Sequence, residues 1–373
     1  MKVPFLDLKR QYQSIRTEIE PAILGVLNSG SWILGEEVEA FEKEMADYLQ
    51  VEVAIAVASG TDSLWLALKA LGVGAGDKVV TTPFTFFATI SAILNTGAEP
   101  LFADILPSTF NLDPQRVEDL LESPKGKEAK VILPVHLYGQ MADMTALMDI
   151  SHRYNLHLVE DAAQAMGSDY KNQQAGTFGD IGCFSFYPTK TLGAFGDGGL
   201  LTTQNRQLGE QLRILRCHGA KEKFHHHFIG SNSRLDAVQA AGLRVKLKYL
   251  DRWISEKQHL ASLYAGACHS SRGILTPPGK AADRSHTYHQ YTVRVNAGRR
   301  DQFRSFLSDR GIHTAVYYPV PSHLQPALAH LGYRKGNFPE AEKASKEVVS
   351  LPIFPELTTA EREHLLSALT EWS

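Results

Sequence analysis

VAIAV (53–57), KVVTT (78–82), EPLFA (99–103), KVILPVH (130–136), HLVED (157–161), GCFSFY (182–187) and GLLTT (199–203) are short runs rich in β-branched residues, and each reads as a strand. Between them, 62–71, 84–95, 114–122 and 144–154 have the length and apolar spacing of helices. Strands joined by helical crossovers pair in parallel, so the alternation predicts an α/β fold with a large, mainly parallel central sheet covered by helices. Toward the N-terminus, 13–27 and 37–49 are amphipathic and are parted by NSGSWILG, whose glycines stop the first; both are expected to pack outside the sheet. Beyond Arg234 the run LDAVQAAGLRVKLKYLDRWISEKQHLASLY has no proline and only Gly242 as a weak point. It predicts one long connecting helix over 234–264. From about Pro277 the pattern mixes strands with helices: YHQYTVRV (288–295), a helix at 300–310, HTAVYY (313–318) and a last helix after Thr359. These segments predict a large domain over 1–250, N-terminal helices included, and a smaller C-terminal α+β domain over 251–373.

The bulk properties narrow the function. A chain of 373 residues, 43% hydrophobic and 21% charged, can bury a large core and exceeds one ordinary small domain. Its net charge of −3 is spread over both signs without a basic stripe, which argues against a nucleic-acid partner. The opening MKVPFLDLKRQYQSIRTEI lacks the apolar core of a signal peptide, and the most apolar stretch, 79–94, carries Pro83 and falls short of the roughly 20 residues of a membrane span. A cytoplasmic protein without a membrane partner is expected. Cys183, Cys217 and Cys268 are scattered, with no pair at metal-ligand spacing, and read as idle thiols. His225, His226 and His227 are consecutive and cannot all face one ion from a regular element, so no metal is expected.

Chemistry gathers at the carboxyl ends of the strands, where open α/β sheets bind ligands. SGTDSL (59–64) follows the strand at 53–57 and opens a helix; Gly60 permits a tight turn, and the amides behind it suit a phosphate. Alternatively, Ser59 or Thr61 simply caps that helix. VEDAAQAMG (159–167) ends a hydrophobic strand on Glu160 and Asp161, and a buried carboxylate needs a partner. A protonated pyridine nitrogen would be one, and a helix cap is the plainer alternative. FSFYPTKTLGAFGDGG (184–199) passes from strand to a Pro-Thr-Lys turn and a run of glycines, with Lys190 placed 190 − 161 = 29 residues after the acidic strand end. A surface lysine is the ordinary reading. In this setting it can form a Schiff base with an aldehyde cofactor and later act as general base.

Taken in order, SGTDSL, EDAAQAMG and SFYPTKTLGAFGDGG resemble the DegT-type sugar aminotransferases, within the fold-type I (aspartate-aminotransferase-like) pyridoxal-phosphate enzymes. VPFLDLKRQY, SWILGEEVEAFE, TTPFTFFAT, HHHFIGSNSRLDAVQAA, YYPVPSHLQPA and SLPIFPELT extend the resemblance over nearly the whole chain. It implies pyridoxal 5'-phosphate on Lys190, with pyridoxamine phosphate as intermediate. It implies Asp161 at the pyridine nitrogen, Gln164 at the ring hydroxyl, and Gly60, Thr61 and Ser185 at the phosphate. Phe86 matches the aromatic residue that stacks on the ring, unless it is a core phenylalanine. Asn232 matches a residue that reaches the neighbouring subunit's cofactor, which implies a homodimer; its plainer reading is a cap before the long helix.

The resemblance further implies glutamate as amino donor and a nucleotide-linked keto sugar as acceptor, in two half-reactions through one site. The loop PTKTLGAFGDGG looks more like the branch that aminates C3 than the branch that aminates C4; the carrier, TDP or UDP, stays open. Tyr317 stands where many relatives have histidine, and His323 lies nearby in a segment expected to face the sugar. The rivals are a dehydratase, whose relatives replace the lysine by histidine, a non-catalytic regulator, and an aminotransferase for a small amino acid or amine, in which Arg234 or Arg294 could meet a substrate carboxylate.

Overall fold

The computed structural model describes residues 1–222, 224–269, 275–296 and 298–372. The chain begins with α1 (Leu8–Ser29), which starts earlier than the apolar pattern suggests because the Asp7 side chain accepts the N–H groups of Lys9 and Arg10. Gly30, at φ 71°, ends it. The second helix, α2 (Glu36–Leu49), follows a short loop.

The central sheet is formed by β1 (Val53–Val57), β2 (Lys78–Thr81), β3 (Glu99–Phe102), β4 (Ala129–Ile132) and β5 (His157–Asp161), and, after the hairpin of β6 (Asp169–Tyr170) and β7 (Gln173–Gln174), by β8 (Ile181–Ser185) and β9 (Gly199–Thr203). Its order is β1-β9-β8-β5-β4-β2-β3. Only β9 pairs antiparallel with its neighbours; the other pairings are parallel. The carboxyl ends of β1, β2, β4, β5 and β8 therefore share one edge. The crossovers are α3 (Gly60–Ala70), α4 (Phe87–Asn95), α5 (Pro114–Glu122) and α6 (Met144–Tyr154), and α7 (Arg206–Arg216) follows β9. β4 stops short of the expected 136 where Pro134 has no N–H to donate.

The hairpin β10 (Ala220–Glu222) and β11 (His225–His226) leads on to the expected connector, which is two helices: α8 (Ala237–Leu247) and α9 (Leu250–His269). The break falls at Lys248–Tyr249, and Gly242 stays helical. It turns α9 so that Leu250 and Ile254 pack in the large core, Trp253 against the Ile15 and Ile19 side of α1, and Leu260, Tyr264 and Cys268 in a second core. That second core lies on the antiparallel sheet of β12 (Leu275–Thr276), β13 (Tyr291–Val295) and β14 (Val348–Leu351), with α10 (Arg300–Asp309) and α12 (Thr359–Glu371), whereas Ala341 and Ala344 of α11 (Pro339–Glu347) pack in another core with Phe84, Phe102 and Tyr138. HTAVYY adds only a bridge from Ala315 to Ser350. Val3 pairs with Ile312 and is buried in this second core, although the sequence division puts it with the large domain. Among the described residues, no helix is long and apolar enough to cross a membrane.

A buried ionic knot fixes β1, the strand that leads into the turn at Ser59 and Gly60. Glu42 of α2, 4% exposed, accepts from the Ala56 N–H (3.0 Å), Arg216 Nη1 (2.5 Å) and Arg213 Nη1. Arg216 also donates to the Ala56 carbonyl at 2.7 Å. Removing one partner of such a pair strands a buried charge. Glu42→Ala is expected to cost about 3–5 kcal/mol in urea denaturation, with Glu42→Ala/Arg216→Met recovering part of the loss.

Candidate active site

Adjacent residues of a strand face opposite sides of the sheet, which separates the two carboxylates that end β5. Glu160 is fully buried and saturated: it accepts from the N–H groups of Phe178 (2.7 Å), Gly179 (2.9 Å) and Gly176 (2.9 Å) and meets His136 Nε2 at 2.9 Å. Its place is structural. Asp161, 4% exposed, has only neutral donors on its oxygens among the described residues: Thr89 Oγ1 at 2.8 Å and the Ala163 N–H at 3.2 Å. Burial pushes its pKa up; those two donors, then the charges of Lys190 and His136, oppose the shift in part. A buried carboxylate without a cation against it is a place for a positively charged N–H, so the residues present fit a protonated pyridine ring.

The other candidates surround this carboxylate from several elements. Ser59 caps α3 by accepting the Asp62 N–H at 3.1 Å, so the capping role belongs to it and not to Thr61. The N–H groups of Gly60 and Thr61 then have no carbonyl above them in the helix. Gly60 meets the end of β8 so closely that a Cβ there would lie 2.6 Å from the Ser185 Cβ. Glycine is required for this approach, which makes a cradle of backbone and hydroxyl groups. Lys190 is partly buried in the loop between β8 and β9, its N–H bonded to the Tyr187 carbonyl at 2.8 Å. Desolvation pushes its pKa down to about 8, against a smaller upward pull from Asp161.

Phe86 is no core residue: it is 60% exposed at the start of α4, with its ring 6.3 Å from that of Tyr318. Gln164 accepts the Tyr138 N–H at 2.7 Å and donates to the Tyr318 hydroxyl at 3.0 Å. Tyr317 lines the cavity that holds Lys190, together with Phe5, Gln11, His289 and Gln290. His323 does not face that cavity. It is 2% exposed, paired with Glu342 at 3.1 Å and packed on Phe338, because the turn after Pro321 carries it inward; this corrects the expected sugar contact. Asn232 is exposed and lines a separate depression with Ile33, Asp197 and Arg234, apart from the Lys190 cavity of its own chain. Arg294 is committed to Glu347 (2.9 Å) and the Pro107 carbonyl (2.7 Å).

Sequence reasoning passed over Thr89, Tyr318, His289 and Lys257. Thr89 carried a usable signal, since it sits one helical turn beyond Phe86 and so on the same side of α4. Lys257 also had one, as a lysine within the apolar stripe of Trp253, Leu260 and Tyr264.

The profile of the DegT/DnrJ/EryC1/StrS aminotransferase family matches residues 13–370. A pleiotropic regulatory protein of Geobacillus stearothermophilus is 46% identical over 373 residues, covering 100% of this chain and 99% of that protein. A dTDP-3-amino-3,4,6-trideoxy-alpha-D-glucose transaminase of Streptomyces venezuelae is 43% identical, covering 100% of this chain and 96% of that one. The crystal structure of S. venezuelae DesV in complex with a ketimine intermediate superposes with a TM-score of 0.94 at 43% identity, covering 100% of this chain and 98% of the other.

Asp161 supplies a stability test. A carboxyl whose folded pKa is raised favours folding least when ionised, so its penalty is absent below the ordinary carboxylate range and grows as pH rises through it. In the cofactor-free protein, Asp161→Asn is expected to raise the melting temperature by a few degrees at neutral pH. The gain should vanish in acid, as followed by calorimetry.

Proposed function

Because the chain belongs to the DegT/DnrJ/EryC1/StrS aminotransferase family, we propose that it moves an amino group from glutamate to C3 of a TDP- or UDP-linked keto hexose, using pyridoxal 5'-phosphate. The observation that carries the cofactor assignment is the buried Asp161 carboxylate, held by neutral donors beside a lysine of depressed pKa. The C3 assignment is supported by the lysine-loop sequence and by the 3-amino product in the name of the S. venezuelae relative.

When bound, the cofactor supplies an electron sink for the carbon that bears the transferred nitrogen, and it stores that nitrogen between half-reactions. Asp161 would hold its ring nitrogen, Gln164 its ring hydroxyl and Phe86 its face; Gly60, Thr61 and Ser185 would hold its phosphate. Lys190 is the attachment point and afterwards the base that carries the proton. With a pKa of about 8, roughly a quarter of Lys190 is neutral at pH 7.5, against roughly one part in a thousand for an ordinary lysine. Tyr317 would meet the sugar. Asn232, exposed in a depression with Ile33 and near the exposed Trp32, suits contact with a second copy, and a homodimer would bring it to the partner's site.

The name of the G. stearothermophilus relative favours a second reading, regulation without catalysis. One experiment separates the two. The wild-type protein should be yellow, lose that colour with glutamate, and be fixed covalently by borohydride. Lys190→Ala should escape fixation and slow the glutamate half-reaction by at least about 10²–10⁴-fold. A colourless wild type that takes up no pyridoxal phosphate would remove the cofactor assignment, and product analysis with 3-keto and 4-keto nucleotide sugars decides C3 against C4.

A further inference from the structure

The loop that carries Lys190 touches two more buried lysines. Lys246 of α8, 3% exposed, donates to the Gly193 carbonyl at 2.6 Å and lies over the Phe195 ring, 4.2 Å from its centre. Lys257 of α9, 5% exposed, donates to Thr191 Oγ1 at 3.3 Å and lines the same cavity as Lys190. Gln239 of α8 accepts the Phe195 N–H at 2.8 Å. Gly242 leaves room for that ring, since a Cβ there would lie 3.0 Å from it. Residues 191–195 are thus gripped from two helices at their backbone, a hydroxyl and an aromatic face. Burying an ammonium is costly, and a methionine would pack at either place without that cost. A fold that needed only volume would gain nothing from lysine here.

We propose that Lys246 and Lys257 are positioning residues for Lys190: together they fix the loop that aims its side chain. This rests on reading Lys190 as the attachment point of the cofactor. The titratable groups facing Lys190 are Asp161 from β5, His289 ahead of β13, Tyr317, Glu356 before α12, and Lys257 from α9. Burial between Lys190 and Lys257 holds His289 neutral, and burial also pushes Glu356 toward its neutral form. Lys257 is itself pushed down to about 7 by burial.

Loosening the grip gives the test. The visible absorbance of the pyridoxal-phosphate-loaded protein is titrated with pH for wild type, Lys257→Arg and Lys257→Met. The midpoint in Lys257→Met should differ from wild type by about half a unit or more, with Lys257→Arg, which can still donate to Thr191, returning toward the wild-type value. In the cofactor-free chain, Lys246→Met should speed amide exchange of the peptide spanning 189–195 by about tenfold, with the sheet amides unchanged. Equal midpoints in the three loaded proteins, or unchanged exchange in Lys246→Met, overturns the proposal. A wild type without a borohydride-reducible chromophore sinks the cofactor reading instead, and amide exchange still decides the grip.

Discussion

Burying a carboxylate in the middle of a sheet is expensive, and the end of β5 does it twice with opposite solutions. Glu160 is given three N–H groups and a histidine, and its cost is offset within the chain. Asp161 receives two neutral donors and keeps a deficit. The surrounding structure is organised around that deficit. Parallel pairing brings the ends of β1, β2, β5 and β8 to one edge, the turn at Gly60 comes against Ser185, and α4 delivers Thr89 to the carboxylate. A sequence selected for stability alone would place asparagine there.

Much of this was legible in the sequence because the strands are short, β-branched and bounded by turn residues, and because the turns that carry the candidate residues follow them directly. The runs at 53–57, 157–161 and 199–203 are strands with the same limits in the structure. Where the sequence reading failed, the cause was tertiary. The break at Lys248–Tyr249 answers to packing against three different cores, which no local propensity encodes. HTAVYY has strand composition, yet its tyrosines are drawn to Tyr138 and Gln164 at the sheet edge and leave the ladder after a single bridge. His323 looked like a surface ligand beside Tyr-Pro, and burial against Glu342 and Phe338 withdrew it.

The site itself divides in the same way. Lys190, Asp161 and Gly60 lie in motifs whose chemistry is local and could be reasoned from neighbours in the chain, whereas Gln164 came only with the family resemblance. Lys246 and Lys257 contact the Lys190 loop from more than 50 residues downstream, and they are masked in sequence because charged residues are common on the outer faces of α8 and α9. A lysine inside a buried stripe is the signature to look for.

The approach of Gly60 to Ser185 has a consequence for how the protein is made. These two residues meet only when β1, β9 and β8 lie side by side, and that requires Val53 to find Thr203. Pairings of such separation in the chain form late and slowly. That close approach is thus absent from early, locally structured species, and a ligand bound there could not template the sheet. It can only select the finished one, acting on the rate of unfolding and leaving the rate of folding to the chain.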